Sequence, residues 1–182
     1  MPTIANICGS TAHVSPLLHK AKRLGLATAD CLLRLAVARG CEHYAPADYD
    51  RARVNDPGSE RFTDAELGMA MISGAQDYDP QLMRCAAQLL SGPDLDPGIL
   101  VRLARMERCE RVLAYIAVQA RQWDEGREAF WASLMALLPP KASMPAGIWP
   151  HPSRFMLQAG YRRGGESHKP VWLRPRKRAS SQ

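Results

Sequence analysis

Aromatic residues are scarce in this chain: phenylalanine, tyrosine and tryptophan together fill 7% of its 182 positions. There is no Gly-x-x-x-x-Gly-Lys-Ser/Thr and no Gly-x-Gly-x-x-Gly, so neither common phosphate-cradling loop is present as a motif. No stretch of about 18 apolar residues occurs, so no segment reads as a membrane span. The cysteines, Cys8, Cys31, Cys41, Cys85 and Cys109, are odd in number and include no Cys-x-x-Cys pair. Scattered thiols fit a reducing cytoplasm better than a disulfide framework. The opening MPTIANICGSTAHV has neither a basic start nor a long apolar run, and does not read as a secretory leader.

What is present points to helices. Alanine and leucine are abundant, and both are strong helix formers. Apolar residues make up 46% of the chain and charged residues 23%, ordinary values for a chain that buries a core. The length suits one compact domain, with or without an appendage.

Charge is unevenly placed. The net charge is +6, yet eight of the 24 basic residues and only one of the 18 acidic residues fall within 151–182. The basic eight are Arg154, Arg162, Arg163, Lys169, Arg174, Arg176, Lys177 and Arg178; Glu166 is the lone acid. Residues 46–98 have the opposite balance, with ten acids against four basic residues. Such asymmetry points to an anionic partner for the basic part.

The helix signals are local. Ser15-Pro16 is a capping residue followed by proline at the first helical position, and Gly25 is a stop. Thr28 caps a second helix that runs to Gly40. Proline, glycine and acids make 41–62 a long surface loop. Thr63 and Glu66 have capping-box spacing, with Phe62 and Leu67 as a hydrophobic staple. An internal echo follows: ISGAQDYDPQLMRCAA at 72–87 and LSGPDLDPGILVRLA at 90–104 share Ser-Gly, then Asp-x-Asp-Pro, then Leu-x-Arg-x-Ala. In each, Ser-Gly closes one helix and Asp-Pro opens the next, with Asp79 and Asp96 as caps, which suggests stacked antiparallel helices. Apolar spacing then carries a single long helix from Pro97 to about Arg121. Asp124 is placed to cap a last helix that Pro139-Pro140 ends.

Residues 139–152, PPKASMPAGIWPHP, contain five prolines and read as a linker or strap. Beyond it, Phe155, Leu157, Ala159 and Tyr161 alternate as a strand, 162–167 is a turn, and 170–173 returns as an edge strand. The expected fold is mainly α: a bundle or short stack of about six helices over 1–138, a proline-rich linker or strap over 139–152, and a basic C-terminal β-hairpin and tail over 153–182.

The basic segment is the leading functional candidate. Lysine and arginine neutralise phosphates and release counterions, and aromatic rings stack on bases. The candidate nucleic-acid-binding residues are Arg154, Arg162, Arg163, Lys169, Trp172, Arg174, Arg176, Lys177 and Arg178, with Tyr161 and Phe155 as further aromatics. The competing reading packs Phe155, Leu157 and Trp172 on the body and leaves only RPRKR, residues 174–178, as a solvated tail.

Other constellations are weaker. HKAKRLGLATADCLLRLA resembles a helix-turn-helix over about twenty residues, with Ala21, Gly25 and Cys31 near its small, turn and apolar positions. Arg34 departs from the pattern, and a plain helical hairpin is the simpler reading. Arg102, Arg105, Arg108 and Arg111 recur every third residue, but that spacing drifts around a helix, and a salt-bridged face is the simpler reading. The Asp-x-Asp pairs lack the glycine and distal glutamate of a calcium loop. Cys41 with His43, or Cys8 with His13, lacks the paired spacing of a zinc site. No metal, cofactor or nucleophile motif is assigned, although a dispersed active site stays open. The expected function is a non-enzymatic nucleic-acid-binding or regulatory protein, with DNA or RNA as partner. The alternative is a helical protein-interaction module, adaptor or homo-oligomer, whose basic tail docks on an acidic surface.

Overall fold

A computed structural model describes residues 2–8, 13–43, 49–50, 54–139, 150–157 and 171–176. Among these, seven helices have eight residues or more: α2 (Pro16–Arg23), α3 (Ala29–Ala38), α4 (Asp64–Met71), α5 (Pro80–Leu89), α6 (Pro97–Met106), α7 (Glu110–Trp123) and α8 (Glu128–Leu137). A single turn, α1 (Ile4–Ile7), precedes them. The mainly α expectation holds, with one helix more than anticipated.

Most helix starts follow from single residues. The side chains of Ser15, Thr28, Thr63, Asp79 and Asp96 each accept a backbone N–H of the first turn they precede. The capping box of Thr63 and Glu66 is closed in both directions. The α4 helix is the central element, with its residues from Leu67 to Met71 all buried. It packs against α5, and also against α2, α3 and α6. Gly68 permits close contact with the end of α5, since a Cβ there would lie 2.9 Å from a methyl of Leu90. The α8 helix closes the other side against α7 and α6.

The long helix expected over 97–121 is two helices. Arg108, which is not glycine, adopts φ of 52°, a left-handed conformation that ends α6 before α7 begins. The break places Glu107, fully buried, against the start of α2. Its Oε1 accepts the Leu17 N–H at 2.9 Å, its Oε2 accepts the Ser15 hydroxyl, and its carbonyl accepts the Gly74 N–H at 2.8 Å. A buried carboxylate at a helix N-terminus satisfies donors that have no partner within the helix. Helical periodicity alone gives no warning of this demand.

The two copies of the echoed connector have different tenants. The first, at Ser73–Asp79, receives the Glu107 carbonyl at Gly74 and pairs with the N-terminal segment through a Thr3–Asp77 bridge. The second, at Ser91–Asp96, receives the C-terminal segment. That segment comprises a 3-10 turn at Pro152–Phe155 and two paired strands, β1 (Met156–Leu157) and β2 (Val171–Trp172). The pairing is antiparallel, with Met156 opposite Trp172 and Leu157 opposite Val171. The expected hairpin turn at 162–167 and the proline-rich 140–149 lie outside the described residues.

The pair resembling a helix-turn-helix, α2 and α3, packs on α4 and α5. Two of its cations are used within the body: Lys20 pairs with Glu66 at 2.6 Å, and Arg39 is buried against the 54–64 loop. Among the described residues, no helix is long and apolar enough to cross a membrane.

Candidate interface of the C-terminal segment

Residues 171–176 lie as an extended strap across α5 and the α7–α8 junction. Trp172 anchors it. Its indole is 4% exposed, stacks on Phe155 with centroids 5.7 Å apart, and meets Trp131 edge-on at 6.5 Å. Its Nε1–H donates to Ser91 Oγ at 2.7 Å, and Ser91 in turn donates to the Ala87 carbonyl at 2.7 Å. A buried indole with its one donor satisfied is a core element.

Arg174 supplies the second hold. Its Nε and Nη2 lie 2.7 and 2.6 Å from Oδ1 of Asp124. The other carboxylate oxygen accepts the Trp131 Nε1–H at 2.7 Å. The Asp124 side chain is only 1% exposed. Asp124 was expected to cap α8, but it sits at the end of α7 with its carboxylate turned inward, and α8 starts without a side-chain cap. A buried carboxylate with two cationic N–H groups and an indole N–H to bind is more fully satisfied there than at a solvent-facing cap.

Backbone bonds complete the strap. The Gln88 side-chain N–H donates to the Arg174 carbonyl at 3.0 Å, and its oxygen accepts the Glu42 N–H at 2.8 Å. The Arg176 N–H donates to the Gly40 carbonyl at 3.1 Å, and its guanidinium pairs with Glu42. Arg127 braces the seat from below by donating to the carbonyls of Ser91 and Gly92, with its guanidinium 3.9 Å from the Phe130 centroid.

A cleft of about 490 Å³ with a mixed polar and apolar lining opens beside the end of the strap. Pro175 and Arg176 form one wall, Pro93 to Leu95 another, and Asp56 to Glu60 a third. Its floor is Arg39, whose guanidinium donates to Asp56, Asp64 and the Phe62 carbonyl at 2.9, 2.9 and 2.6 Å. His43, outside this cleft, is partly buried near Phe155. Burial, and next the charge of Arg84, pull its imidazole down from 6.5 to about 4, partly offset by a hydrogen bond to the Phe155 backbone. It is therefore neutral at pH 7.

The nine candidate residues thus divide. Trp172, Arg174 and Arg176 come together in the strap, with Trp172 covered and both arginines on carboxylates of the body. Arg154 is exposed on the 3-10 turn. Arg162, Arg163, Lys169, Lys177 and Arg178, and Tyr161 with them, lie outside the described residues. Phe155 is buried. Sequence reasoning missed Ser91, Gln88 and Glu107, buried polar residues whose partners are more than 40 positions away.

The remaining candidates make no visible site. All five thiols are unpaired, and four are buried. Burial pushes the Cys109 thiol well up, and Cys41 is raised by its hydrogen bond with Cys85 and then by burial, so neither favours the reactive thiolate. Among the described residues, no three His, Cys, Asp or Glu side chains are grouped to hold a metal ion. The four arginines are split by the helix break: Arg105 reaches the Leu137 carbonyl from α6, while Arg111 reaches the Cys8 carbonyl from α7. Compared with protein-family models, with curated proteins and with solved structures, the chain has no significant match in any of the three.

Proposed function

We propose that this chain is a helical protein-interaction module of the cytoplasm whose basic C-terminal segment docks on carboxylates of its own body. The observation that carries this reading is the pairing of Arg174 with the buried Asp124. Desolvating a carboxylate is costly unless a cation and hydrogen bonds compensate, so the body is built around the docked strap. The acidic balance of residues 46–98 adds a complementary surface beside it. Capture experiments with the full chain and with Arg174→Glu as baits test the reading. A protein partner whose capture changes with the state of position 174 supports it. Failure of either bait to retain any protein counts against it.

A second reading has its own support in the charge segregation of residues 151–182. In it, Arg154, Arg162, Arg163, Lys169, Lys177 and Arg178 contact the phosphates of DNA or RNA on either side of the anchored strap. Arg174 and Arg176 act as the anchor, and the buried Trp172 takes no part in stacking. Its test is the anisotropy of labelled single- and double-stranded oligonucleotides across a salt series. Alanine at Arg162, Arg163, Lys169, Lys177 and Arg178 together should abolish a steep salt dependence, whose slope falls by about 0.9 for each lost contact to duplex DNA. Equal binding by that variant and the parent chain sinks this reading.

A further inference from the structure

We infer that the seat now filled by Val171–Arg176 is a recognition groove for an extended basic segment of a partner protein, one carrying tryptophan and, two residues on, arginine. This rests on the interaction-module reading and names the partner class for it. The chain's own strap is then the occupant in cis.

The groups that read the strap lie outside Val171–Arg176, all of them but Phe155 on the helical body, and each reads one chemical property. The slot between Phe155 and Trp131 takes a flat aromatic ring. Ser91 Oγ at its end accepts an indole N–H, which phenylalanine lacks. Asp124 takes a guanidinium through two nitrogens on one oxygen. Gln88 reads the carbonyl of the arginine, and the Gly40 carbonyl reads the N–H two positions later. The alternation of side-chain pockets with main-chain bonds is how extended peptides are recognised on folded domains.

Asp124 sets the selectivity. Its side chain is 1% exposed, and Arg174 supplies the cation within its hydrogen-bond reach. When the strap leaves, Asp124 loses both guanidinium bonds and keeps the Trp131 N–H, so the seat favours refilling by another guanidinium. Lysine offers a point charge in place of the planar fork and fits less well. The ends of the strap lie at the surface: Val171 is 54% exposed and the Arg176 side chain 81%. An incoming segment can therefore begin to displace the strap at either of these exposed residues.

The test is binding of a fluorescent peptide, Val-Trp-Leu-Arg-Pro-Arg, to the full chain. Arg174→Ala weakens the occupant in cis while leaving Ser91, Gln88 and Asp124 in place. That variant is expected to bind the peptide at least about tenfold more tightly than the parent, with a matching rise in its melting temperature. Lysine at the fourth peptide position should cost about tenfold, and alanine at the second should abolish binding. If Arg174→Ala does not fold, Arg176→Ala keeps the Asp124 pair and should show a smaller gain of a few fold. No peptide binding by a variant whose circular dichroism remains helical overturns the inference. A mass that doubles with concentration, without peptide binding, also overturns it in favour of exchange between two copies. Capture of a protein partner that survives Asp124→Asn, with the peptide silent, leaves the module reading standing and removes this one.

Discussion

Glu107 caps a helix that lies 90 residues away in sequence: its Oε1 accepts the Leu17 N–H at 2.9 Å, while its other oxygen holds the Ser15 hydroxyl that itself caps Leu18. The carboxylate is fully buried, so water cannot replace it. Glu107→Ala should destabilise the protein by about 2–4 kcal/mol, since it leaves buried donors without an acceptor. Glu107→Gln should cost less, because the amide oxygen still accepts one of the two bonds. Urea unfolding followed by circular dichroism measures both. Equal stability of Glu107→Ala and the parent would show that the α2 terminus finds another acceptor.

The same residue marks the boundary of what a sequence can reveal here. Helix starts at Ser15, Thr28, Thr63, Asp79 and Asp96 are legible because each cap acts on a neighbour two or three positions away. The break at Arg108 is not, because it answers to a contact with α2, and apolar spacing continues through it without interruption. Asp124 is ambiguous for the same reason. Its position suits a local cap, yet Trp131 and Arg174 offer it a better-satisfied buried site. Trp172 illustrates the limit for function. In a run of arginines an indole reads equally as a stacking group or as a core anchor, and only the location of Ser91, 81 positions earlier, decides between them.

The Asp124–Arg174 pair is asymmetric in exposure, with side chains 1% and 42% exposed. Asp124→Asn removes the charge that holds the strap but keeps an acceptor for Trp131. It should cost about 1–3 kcal/mol, and a double-mutant cycle with Arg174→Ala should give a coupling of about 1–2 kcal/mol, reduced from a fully buried value by solvent at the arginine. Thermal or urea unfolding of the four proteins closes the cycle. A coupling indistinguishable from zero would mean that Trp172 and the contacts of Gln88, Gly40 and Glu42 retain the strap without this ion pair.

His43 makes stability depend on pH in a definite direction. Its imidazole has a folded value of about 4 against 6.5 when exposed, so the unfolded chain binds the proton more readily. Neutral His43 leaves stability unaffected above about pH 6.5, and as pH falls toward 4 the destabilisation grows to about 2–3 kcal/mol. His43→Gln should flatten the stability profile between those limits. Urea midpoints at half-unit pH steps provide the test, and parallel profiles for the two proteins would place the acid sensitivity elsewhere.

Gly40 couples the end of α3 to the strap. It adopts φ of 97°, which residues with a Cβ rarely tolerate, and a Cβ there would lie 2.6 Å from the Arg176 carbonyl oxygen. Its own carbonyl accepts the Arg176 N–H at 3.1 Å, so the close approach is part of the docking. Gly40→Ala therefore strains the helix terminus by about 1 kcal/mol and pushes directly on the strap backbone. The strap is the cheaper part to move, because α3 is fixed by its buried face on α4 and α5. Amide exchange at Leu173, Arg174 and Arg176 should accelerate in this variant, by about tenfold for each 1.4 kcal/mol by which docking is weakened, while α4 and α5 keep their protection. Trypsin should cut after Arg176 sooner than in the parent, whereas the bond between Arg174 and Pro175 resists it in both. Uniform loss of protection across α3, α4 and α5 would instead make Gly40 a determinant of the whole fold.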